Sequence, residues 1–412
     1  MTLVDDVAAR VESRVIADRR DIHQNPELGN REFRTSKLVA DRLRELGIET
    51  RTGIAHTGVV GLLSGARPGR VVALRADMDA LPVSEEVDVP FRSKVRTKYD
   101  GQEVGVMHAC GHDAHVAILL GVAEILVKMR EEIAGTVKFI FQPAEEGAPV
   151  GEEGGAELMV KQGVLENPKV DAIFGLHVGS RLAVGQIGYR PGGAMAAVDS
   201  VRIIVRGRQT HGAYPWLGVD PIVVASQIVL GLQTIPSRQL ESTLAPSIVT
   251  IGIIRGGVRN NIIPDEVEMA GTLRSLDVRM RDQIHERVKR TAELIAASAG
   301  ATAEVTITRG YPITYNDPAL TQQMLPALRS VAGADNVILA PATLGSEDFS
   351  FYQEKVPGLF YWLGTRPKNK TEHEVASNHS PRFFVDETGL LLGVRSLATA
   401  ALDFLATSAP SA

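Results

Sequence analysis

Acidic and imidazole side chains follow three apolar runs of this sequence. The run VVALRA is followed by Asp77 and Asp79. TVKFIF leads through QPA into Glu145 and Glu146, and VDAIFGL ends at His177. In an open parallel sheet, ligands bind outside the carboxyl ends of the strands, so these groups are expected to converge on one crevice. Two adjacent glutamates after an apolar strand and a proline do not resemble a solvated surface, and they indicate metal or acid-base chemistry.

A second cluster, MHACGHDAH, lies between two of these strands. Its Cys110 and His112 are separated by one residue in a glycine-containing turn, so both side chains can point to one centre. Thiolate, imidazole and carboxylate are the ligands of Zn²⁺ and chemically similar metals. Asp113 can cap the helix that follows. Far downstream, NHSP places His379 in a turn that can return to the same crevice.

Taken singly, these residues also have structural interpretations. A lone cysteine such as Cys110 commonly packs as a small hydrophobe. His108 and His115 can be surface or helix-start histidines, and they are not included among the predicted ligands. Asp77 alone is typical of a turn or a helix cap. The combination of groups, rather than any one of them, favours a metal site.

Hydrophobic periodicity predicts the elements that must position these groups. Two amphipathic helices open the chain, and short apolar runs then alternate with helical patterns as far as His177, which indicates a mixed, mostly parallel sheet covered by helices. Past this region the order becomes β-α-β-β-α-β, the ferredoxin-like unit. The predicted fold is therefore α/β, with a discontinuous first domain at 1–192 and 310–412 and an inserted second domain at 193–309.

The bulk composition excludes several classes of protein. The chain has 412 residues, with 44 basic and 49 acidic side chains and a net charge of -5, so it has no basic excess to bind nucleic acid or an anionic membrane. Its apolar stretches are too short to span a bilayer, and the amino terminus does not read as an export signal. The single cysteine agrees with a reducing compartment, so a cytoplasmic location is expected.

Together, MHACGHDAH, RADMDALP, FQPAEEG, GLHV and NHSP resemble the aminoacylase and carboxypeptidase superfamily of zinc metallohydrolases. They are most similar to its amidohydrolase branch, which includes hippurate hydrolases, N-acyl amino acid amidohydrolases and indole-acetyl amino acid hydrolases. The resemblance covers nearly the whole chain and rests on the joint occurrence of these motifs. It implies metal-dependent hydrolysis of the amide bond of small N-acyl amino acids.

The resemblance also implies a role for each candidate residue. Two divalent ions (Zn, Mn, Co or Ni) would be held by Cys110 as the bridging ligand, with His112, Glu146, His177 and His379. Glu145 would be the general base that takes the proton of a metal-bound water and passes it to the amine, a function worth roughly 10²–10⁴ in rate. Asp79 would orient a ligand histidine. Elsewhere in the superfamily the bridge is an aspartate, and the cysteine here is typical of the branch.

For the inserted domain, the resemblance implies a lid that also mediates dimerisation. His211 and Asn261 would approach the substrate carbonyl or carboxylate, and Arg274 would bind the free α-carboxylate with a bidentate guanidinium. Arg274 can equally be a charge on the sheet surface. A homodimer through the lid, or a higher homo-oligomer, is expected, with His211 acting in its own subunit or a partner's. Glu347 and Asp348, in GSEDFSFY, match the family without a predicted role.

Other functions remain open at this stage. Within the enzymes, the alternatives are a dipeptide-cleaving metallocarboxypeptidase and a deacetylase of the N-acetyl-diaminopimelate type. A metal-dependent binding protein is a non-enzymatic alternative, although a binding site has no need for Glu145. Cys110 could also act as a nucleophile with a histidine base, but the surrounding imidazoles and carboxylates suit a metal better.

Overall fold

The computed structural model describes residues 3–407, which divide into two compact units. Unit 1 contains the described residues up to Gly192, together with Tyr315–Pro341 and those from Phe351 onward. Unit 2 contains Gly193–Thr314 and Ala342–Ser350.

This division differs from the predicted boundaries because a short segment after residue 341 packs into unit 2. The backbone N–H of Ala196 donates to the carbonyl of Gly345 at 2.9 Å, and that of Thr343 donates to the carbonyl of Ala194 at 3.0 Å. Such a segment has no hydrophobic period of its own, so the sequence could not assign it to either unit.

Within the described residues, the helices are α1 (Leu3–Gln24), α2 (Phe33–Glu45), α3 (His112–Lys128), α4 (Gly155–Lys161), α5 (Pro221–Thr234), α6 (Val278–Ser298), α7 (Pro318–Ala332), α8 (Ser350–Gln353) and α9 (Leu390–Ala406). The strands are β1 (Glu49–Ile54), β2 (Gly58–Ser64), β3 (Arg67–Asp77), β4 (Arg96–Tyr99), β5 (Gln102–Gly105), β6 (Ala134–Gln142), β7 (Ala172–Ala183), β8 (Ile187–Tyr189), β9 (Gly192–Met195), β10 (Ala197–Arg206), β11 (Thr210–His211), β12 (Ser247–Gly256), β13 (Ile262–Ile263), β14 (Glu266–Ser275), β15 (Thr302–Arg309), β16 (Thr314–Asn316), β17 (Val337–Leu339) and β18 (Gly358–Arg366).

Unit 1 is built on an eight-stranded sheet in the order β1-β2-β6-β3-β7-β18-β8-β17. The central strands β6, β3, β7 and β18 are parallel to one another, whereas β1, β2 and β6 pair in antiparallel fashion. The predicted mixed, mostly parallel sheet is therefore confirmed. The second half of β3 is buried without interruption, as expected for a central strand that is covered on both faces.

Helices α1, α3 and α9 pack together in the core of unit 1. Gly121 of α3 permits a close approach, since a Cβ there would lie 2.7 Å from Val15 of α1 and 3.2 Å from Val394 of α9. Among the helices of residues 3–407, only the stretch Glu387–Ala406 has the length and the apolar composition that a membrane span requires. Its most apolar window is 61% buried inside the fold, as in a core helix.

Unit 2 contains the order β10, α5, β12, β14, α6, β15, with an antiparallel sheet in the order β12-β14-β10-β15. Its core follows the expected periods. Val201 and Ile203 of β10 are buried on alternate positions, and Ile284 and Val288 of α6 are buried four residues apart. Asp277 caps α6 by accepting a hydrogen bond from the backbone N–H of Met280.

Candidate metal centre

Three adjacent parallel strands, β6, β3 and β7, lead to part of the predicted site of unit 1. Asp77 is the last residue of β3, and the loop after β6 carries Glu145 and Glu146. His177 lies within β7 and not at its end, because β7 continues beside β18 after its pairing with β3 stops at Gly175. The carboxyl end of β3 thus lies next to the middle of β7, with the end of β6 on the other side of β3.

The structure brings the five predicted ligands into two groups that share the thiol of Cys110. One group is Cys110, His112 and His177, and the other is Cys110, Glu146 and His379; within each, the potential ligand atoms all lie within 4.8 Å of one another. The Cys110 Sγ is 3.4 Å from His177 Nε2, and Glu146 Oε1 is 3.0 Å from His379 Nε2. The thiol is thus shared by one group with two imidazoles and one group with an imidazole and a carboxylate, donors that would suit a pair of divalent metals.

The turn before α3 fixes the two ligands nearest in sequence. Gly111, between Cys110 and His112, has φ of 93°. A Cβ at this position would also lie 2.2 Å from Val178 Cγ2. Only glycine meets both demands, so Gly111 lets the chain turn sharply and direct the thiol and the imidazole to one region.

His379 reaches the same region from the loop after β18. Its backbone N–H donates to the carbonyl of Ala109 at 2.8 Å, and its φ is 68°. The preceding Asn378 donates its side-chain amide to the carbonyls of Cys110 at 3.2 Å and Val178 at 3.3 Å. These bonds attach the far-downstream loop to the turn before α3.

Hydrogen bonds fix the orientation of two of the ligand histidines. His112 donates from Nδ1 to Asp79 Oδ1 at 3.2 Å, and His177 donates from Nδ1 to the carbonyl of Val178 at 2.7 Å. Each ring therefore presents the lone pair of Nε2 to the centre, which is the usual arrangement in metal-binding histidines. His112 Nε2 is buried and makes no hydrogen bond within the described part of the chain. A metal ion would satisfy this atom.

Asp79 holds the loop that carries the two glutamates. Besides His112, it accepts hydrogen bonds from the backbone N–H groups of Glu145 at 3.0 Å and Glu146 at 2.9 Å. The Glu145 carboxylate lies with its Oε2 3.9 Å from His112 Nε2, and its side chain is 7% exposed. It adjoins His112 and Glu146 but belongs to neither group that contains Cys110.

Glu32 is a supporting residue that sequence reasoning missed. One of its oxygens accepts the backbone N–H of Ala144 at 2.9 Å, and the other accepts the hydroxyl of Thr57 at 2.6 Å. Ala144 has φ of 52°, so this bond stabilises a left-handed turn next to the glutamates. Burial, with the nearby charge of Asp79, raises the pKa of Glu32 to about 8. In the sequence, Glu32 resembles an ordinary residue at a helix start.

Asp77 supports the centre through His115. The backbone N–H of Val178 donates to His115 Nε2 at 2.9 Å, so Nδ1 carries the proton and donates to Asp77 at 2.5 Å. Arg75 donates to the other oxygen of Asp77 at 2.6 Å. Burial alone would raise the pKa of Asp77, but the charge of Arg75 and the hydrogen bond from His115 hold it well below its usual range. The hydrogen bonds from Arg75 to Asp77 and from His115 to Asp77 thus fix the ring that orients the backbone beside His177.

The electrostatics of Cys110 and Glu146 are consistent with metal ligands. Burial, with the charge of Glu146, raises the pKa of the Cys110 thiol. Burial would also raise the pKa of Glu146, but the hydrogen bond and the charge of His379 outweigh it and lower this pKa. A thiol with a raised pKa is a poor free nucleophile, whereas coordination to a divalent cation deprotonates it outright.

In unit 2, His211 and Asn261 are neighbours. β11, which contains His211, pairs with β13, and the N–H of Gly212 donates to the carbonyl of Asn261 at 2.8 Å. Both residues are exposed, and the His211 ring lies 5.3 Å from that of Tyr214. These two predicted substrate-binding residues therefore form one small surface.

Arg274 and the GSEDFSFY segment meet within unit 2. Arg274, half-buried on β14, donates to the carbonyl of Leu344 at 2.7 Å and to Ser346 Oγ at 3.1 Å. Glu347 and Asp348 are buried, and Glu347 accepts the N–H of Phe349 at 3.0 Å. Arg274 thus fastens a segment distant in sequence, a role that the sequence did not predict.

The mostly parallel sheet of unit 1 and its shared-thiol ligand groups agree with a metallohydrolase. The chain belongs to peptidase family M20/M25/M40, whose model matches residues 73–403. The predicted membership of the aminoacylase and carboxypeptidase superfamily is confirmed, and the protein is a hydrolase.

Several relatives cover nearly the whole chain. Thermostable carboxypeptidase 2 of Saccharolobus solfataricus is 44% identical over 396 residues, which is 96% of either protein. N-acetylcysteine deacetylase of Bacillus subtilis is 40% identical over 396 residues, covering 96% of this chain and 98% of the relative. The crystal structure of the Bacillus subtilis YXEP protein, a dinuclear metal-binding peptidase of the M20 family, superimposes with a TM-score of 0.81 and 37% identity, over 97% of this chain and 99% of that one.

Proposed function

We propose that this protein hydrolyses the amide bond of small N-acyl amino acids in a metal-dependent reaction. The observation that carries the proposal is the pair of ligand groups sharing Cys110, with the carboxylate of Glu145 beside them. The family membership supports amide hydrolysis, and a relative named as an N-acetylcysteine deacetylase supports the N-acyl amino acid as substrate.

Cys110, His112, Glu146, His177 and His379 would hold two divalent ions, with Zn, Mn, Co and Ni as the candidate metals. When bound, such ions polarise the amide carbonyl and lower the pKa of water. The donor set supports this assignment, because thiolate, imidazole and carboxylate together are typical ligands of these metals. The dinuclear relative supports the number of ions.

Glu145 is the proposed general base. Its carboxylate accepts the proton of the attacking water and then delivers it to the nitrogen of the departing amine. The backbone N–H of Glu145 bonds to Asp79, so the base and the His112 ring share one anchor. Asp79 is therefore a positioning residue, and Glu145 and Glu146 take different roles because their surroundings differ.

His211, Asn261 and Arg274 are the proposed substrate-binding residues of unit 2, which would serve as a lid. The proximity of His211 and Asn261 supports a shared ligand. Arg274 provides a guanidinium that suits an α-carboxylate, although it also bonds to Leu344 and Ser346.

We also propose that the protein forms homodimers through unit 2. β12 is an edge strand of the unit 2 sheet, and its Ile248, Ile253 and Ile254 are 39%, 44% and 53% exposed. The opposite edge, β15, exposes polar residues instead. An apolar unpaired edge favours pairing with a second copy.

We also propose a cytoplasmic location, which agrees with the lone buried cysteine.

The test is a Glu145→Gln variant, with Glu153→Gln as the matched control because Glu153 is an exposed glutamate of the following loop. We expect Glu145→Gln to bind both metals, by elemental analysis, and to lose nearly all hydrolysis of N-acyl amino acids. Glu153→Gln should behave as wild type. Full activity in Glu145→Gln would refute the base assignment, and retained activity after chelation would refute the metal dependence.

A dipeptide-cleaving carboxypeptidase is the second candidate, because a relative with that name is 44% identical. A deacetylase of the N-acetyl-diaminopimelate type is the third. Parallel assays on N-acetyl, N-benzoyl and indole-acetyl amino acids and on dipeptides, each with Zn²⁺, Mn²⁺, Co²⁺ and Ni²⁺, separate these candidates. A protein that binds these compounds without hydrolysing any of them would be a metal-dependent binding protein.

A further inference from the structure

The imidazole of His23, in the last turn of α1, lies between two carboxylates in unit 1. Its Nδ1 is 2.8 Å from Asp113 Oδ2, and its Nε2 is 3.0 Å from Glu85 Oε1. The three side chains are at most 3% exposed. An ionised carboxylate only accepts hydrogen bonds, so each ring nitrogen must carry a proton to bond its neighbour. A neutral imidazole has a single N–H, and this geometry therefore favours an imidazolium.

Two nearby cationic or titratable groups leave room for a charge on the ring. Arg19 Nε lies 2.8 Å from the same oxygen of Asp113, while Arg19 Nη2 is 3.4 Å from His23 Nδ1, farther away than the carboxylate. The ring of His108 is centred 6.4 Å from that of His23, and burial lowers the pKa of His108 to about 3, so it is neutral. Burial would lower the pKa of His23, but the charge of Asp113 and the hydrogen bonds to Asp113 and Glu85 raise it.

The remaining neighbours complete a cluster that is balanced in charge. The ring of Phe91 meets that of His23 edge to face, with their centres 5.7 Å apart. Glu387 accepts hydrogen bonds from Arg19 at 3.2 Å and from Arg20 at 2.6 Å. With a charged His23 ring, the cluster has three cations and three carboxylates: Arg19, Arg20 and His23, with Glu85, Asp113 and Glu387. A neutral ring would leave a carboxylate uncompensated in a largely buried cluster, which is costly.

Asp113 connects the His23 ring to one of the proposed metal ligands. It directly follows His112 in the first turn of α3. Asp113 does not cap α3, contrary to the expectation from the sequence, because no side chain caps this helix. Its carboxylate bonds to α1 instead, so α1 fixes the turn on which His112 lies.

Glu85 connects the same ring to the loop that carries His379. The second oxygen of Glu85 accepts the backbone N–H of Ser93 at 2.7 Å, which fixes part of the segment between β3 and α3. The next residue, Glu86, donates its backbone N–H to the carbonyl of Pro381 at 2.8 Å. Pro381 lies two residues after His379, so the position of Glu85 bears on that ligand as well.

We propose that His23, as an imidazolium, is a positioning residue of the metal centre. It joins Asp113, which adjoins His112, to Glu85, which adjoins the residue that binds the His379 loop. The inference rests on the proposed metal ligands. His23 is not one of them, and it acts on them through the two carboxylates.

The first test is a His23→Gln variant. Glutamine has one donor group, so it can bond to one carboxylate while its oxygen faces the other. The matched control is His285→Gln, because His285 Nε2 also bonds to a buried carboxylate, Asp199 at 2.5 Å, but in unit 2. Zn²⁺ affinity is measured by competition with a chromogenic chelator, and stability is measured by urea unfolding of the metal-free proteins.

We expect His23→Gln to weaken Zn²⁺ binding roughly 2–30-fold, the range for residues that act on a site through a network. His285→Gln should leave the affinity unchanged. Wild-type Zn²⁺ affinity in a His23→Gln protein that is only less stable would make the residue structural and overturn the proposal.

The second test, Glu85→Gln, addresses the charge of the ring. With an amide at this position, a neutral ring can donate from Nδ1 to Asp113 and accept at Nε2. In the wild type, a neutral ring instead turns a lone pair towards the Glu85 carboxylate. The positioning is therefore present below the ordinary pKa of His and is lost as pH rises through the raised pKa of His23.

The measurement is the ratio of the Zn²⁺ affinities of Glu85→Gln and wild type, in which protonation of the shared ligands cancels. We expect this ratio to rise roughly 2–30-fold between about pH 6.5 and about pH 9.5. A ratio that is independent of pH would contradict the proposal.

Nitrogen NMR of metal-free protein with labelled histidine measures the charge of the ring directly, and it decides the matter even if His23→Gln does not fold. The signal of His23 is the one that moves in Glu85→Gln. We expect both of its ring nitrogens to carry protons at neutral pH. A neutral ring would overturn this inference and leave the proposed hydrolysis intact. A charged ring with the expected affinity ratio would support it even if the protein hydrolysed no N-acyl amino acid.

Discussion

Replacing Asp79 by asparagine tests how the centre is positioned. The carboxylate accepts three hydrogen bonds, from His112 Nδ1 and from the backbone N–H groups of Glu145 and Glu146. An asparagine has one oxygen, so its NH₂ group must face at least one of these donors. A buried donor left without an acceptor costs about 1–3 kcal/mol. We therefore expect metal affinity to fall, in the range of roughly 10–100-fold that is typical when a group supporting a ligand is lost.

The matched control is Asp171→Asn. Asp171 also accepts a backbone hydrogen bond from β3, from Val71 at 2.7 Å, but Val71 lies in the first half of this strand, whereas the centre lies at the strand's carboxyl end. Metal affinity is measured by competition with a chromogenic chelator, and kcat is measured at saturating metal. Asp79→Asn should weaken metal binding and lower kcat, while Asp171→Asn should do neither. A folded Asp79→Asn protein with the metal affinity of the control would refute the anchoring role of Asp79.

Two further predictions concern buried carboxylates. Glu32→Ala removes the acceptor of the Ala144 N–H, so kcat should fall more than KM rises, by up to roughly 10²-fold for a 1 Å shift of the base. Glu32→Gln keeps an acceptor and should recover most of the loss. Equal activity of the wild type and both variants would contradict the reasoning. Asp199→Asn leaves the buried guanidinium of Arg281 without the opposite charge that lies 2.5 Å away, and should destabilise unit 2 by about 3–5 kcal/mol at pH 7. Burial would raise the pKa of Asp199, but hydrogen bonds from Arg281 and His285 lower it, so its stabilisation is present above the unfolded pKa of about 3.9 and is lost as pH falls below that value. Hydrogen exchange of β10 amides between pH 7 and 3 measures this, and the difference between wild type and variant should shrink with acid; a difference that is absent at pH 7 or independent of pH would contradict it.

The central strands were predictable because a strand that is buried on both faces is a continuous apolar run in the sequence. VVALRA, TVKFIF and VDAIFGL are continuous apolar runs, and they form β3, β6 and β7. Since neighbouring parallel strands end at one side of a sheet, the groups that follow them could be expected to meet. The fold class and the family both follow from this pattern together with the motifs.

Other features could not be predicted because their sequences show no hydrophobic periodicity. Strand β1 and the hairpin of β4 and β5 are mostly exposed and polar, so nothing distinguishes them from loops. Glu32 bonds to Ala144 across 112 positions, and such a contact exists only in the folded chain. The packing of residues 342–350 with unit 2 likewise depends on tertiary hydrogen bonds.

The central claim is that Cys110 joins two metal-binding groups, and anomalous diffraction from crystals grown with Zn²⁺ or Mn²⁺ tests it most directly. We expect two peaks that share the Cys110 sulfur, one beside His177 and the other beside Glu146 and His379. A single peak away from the thiol, or none at saturating metal, would contradict the account.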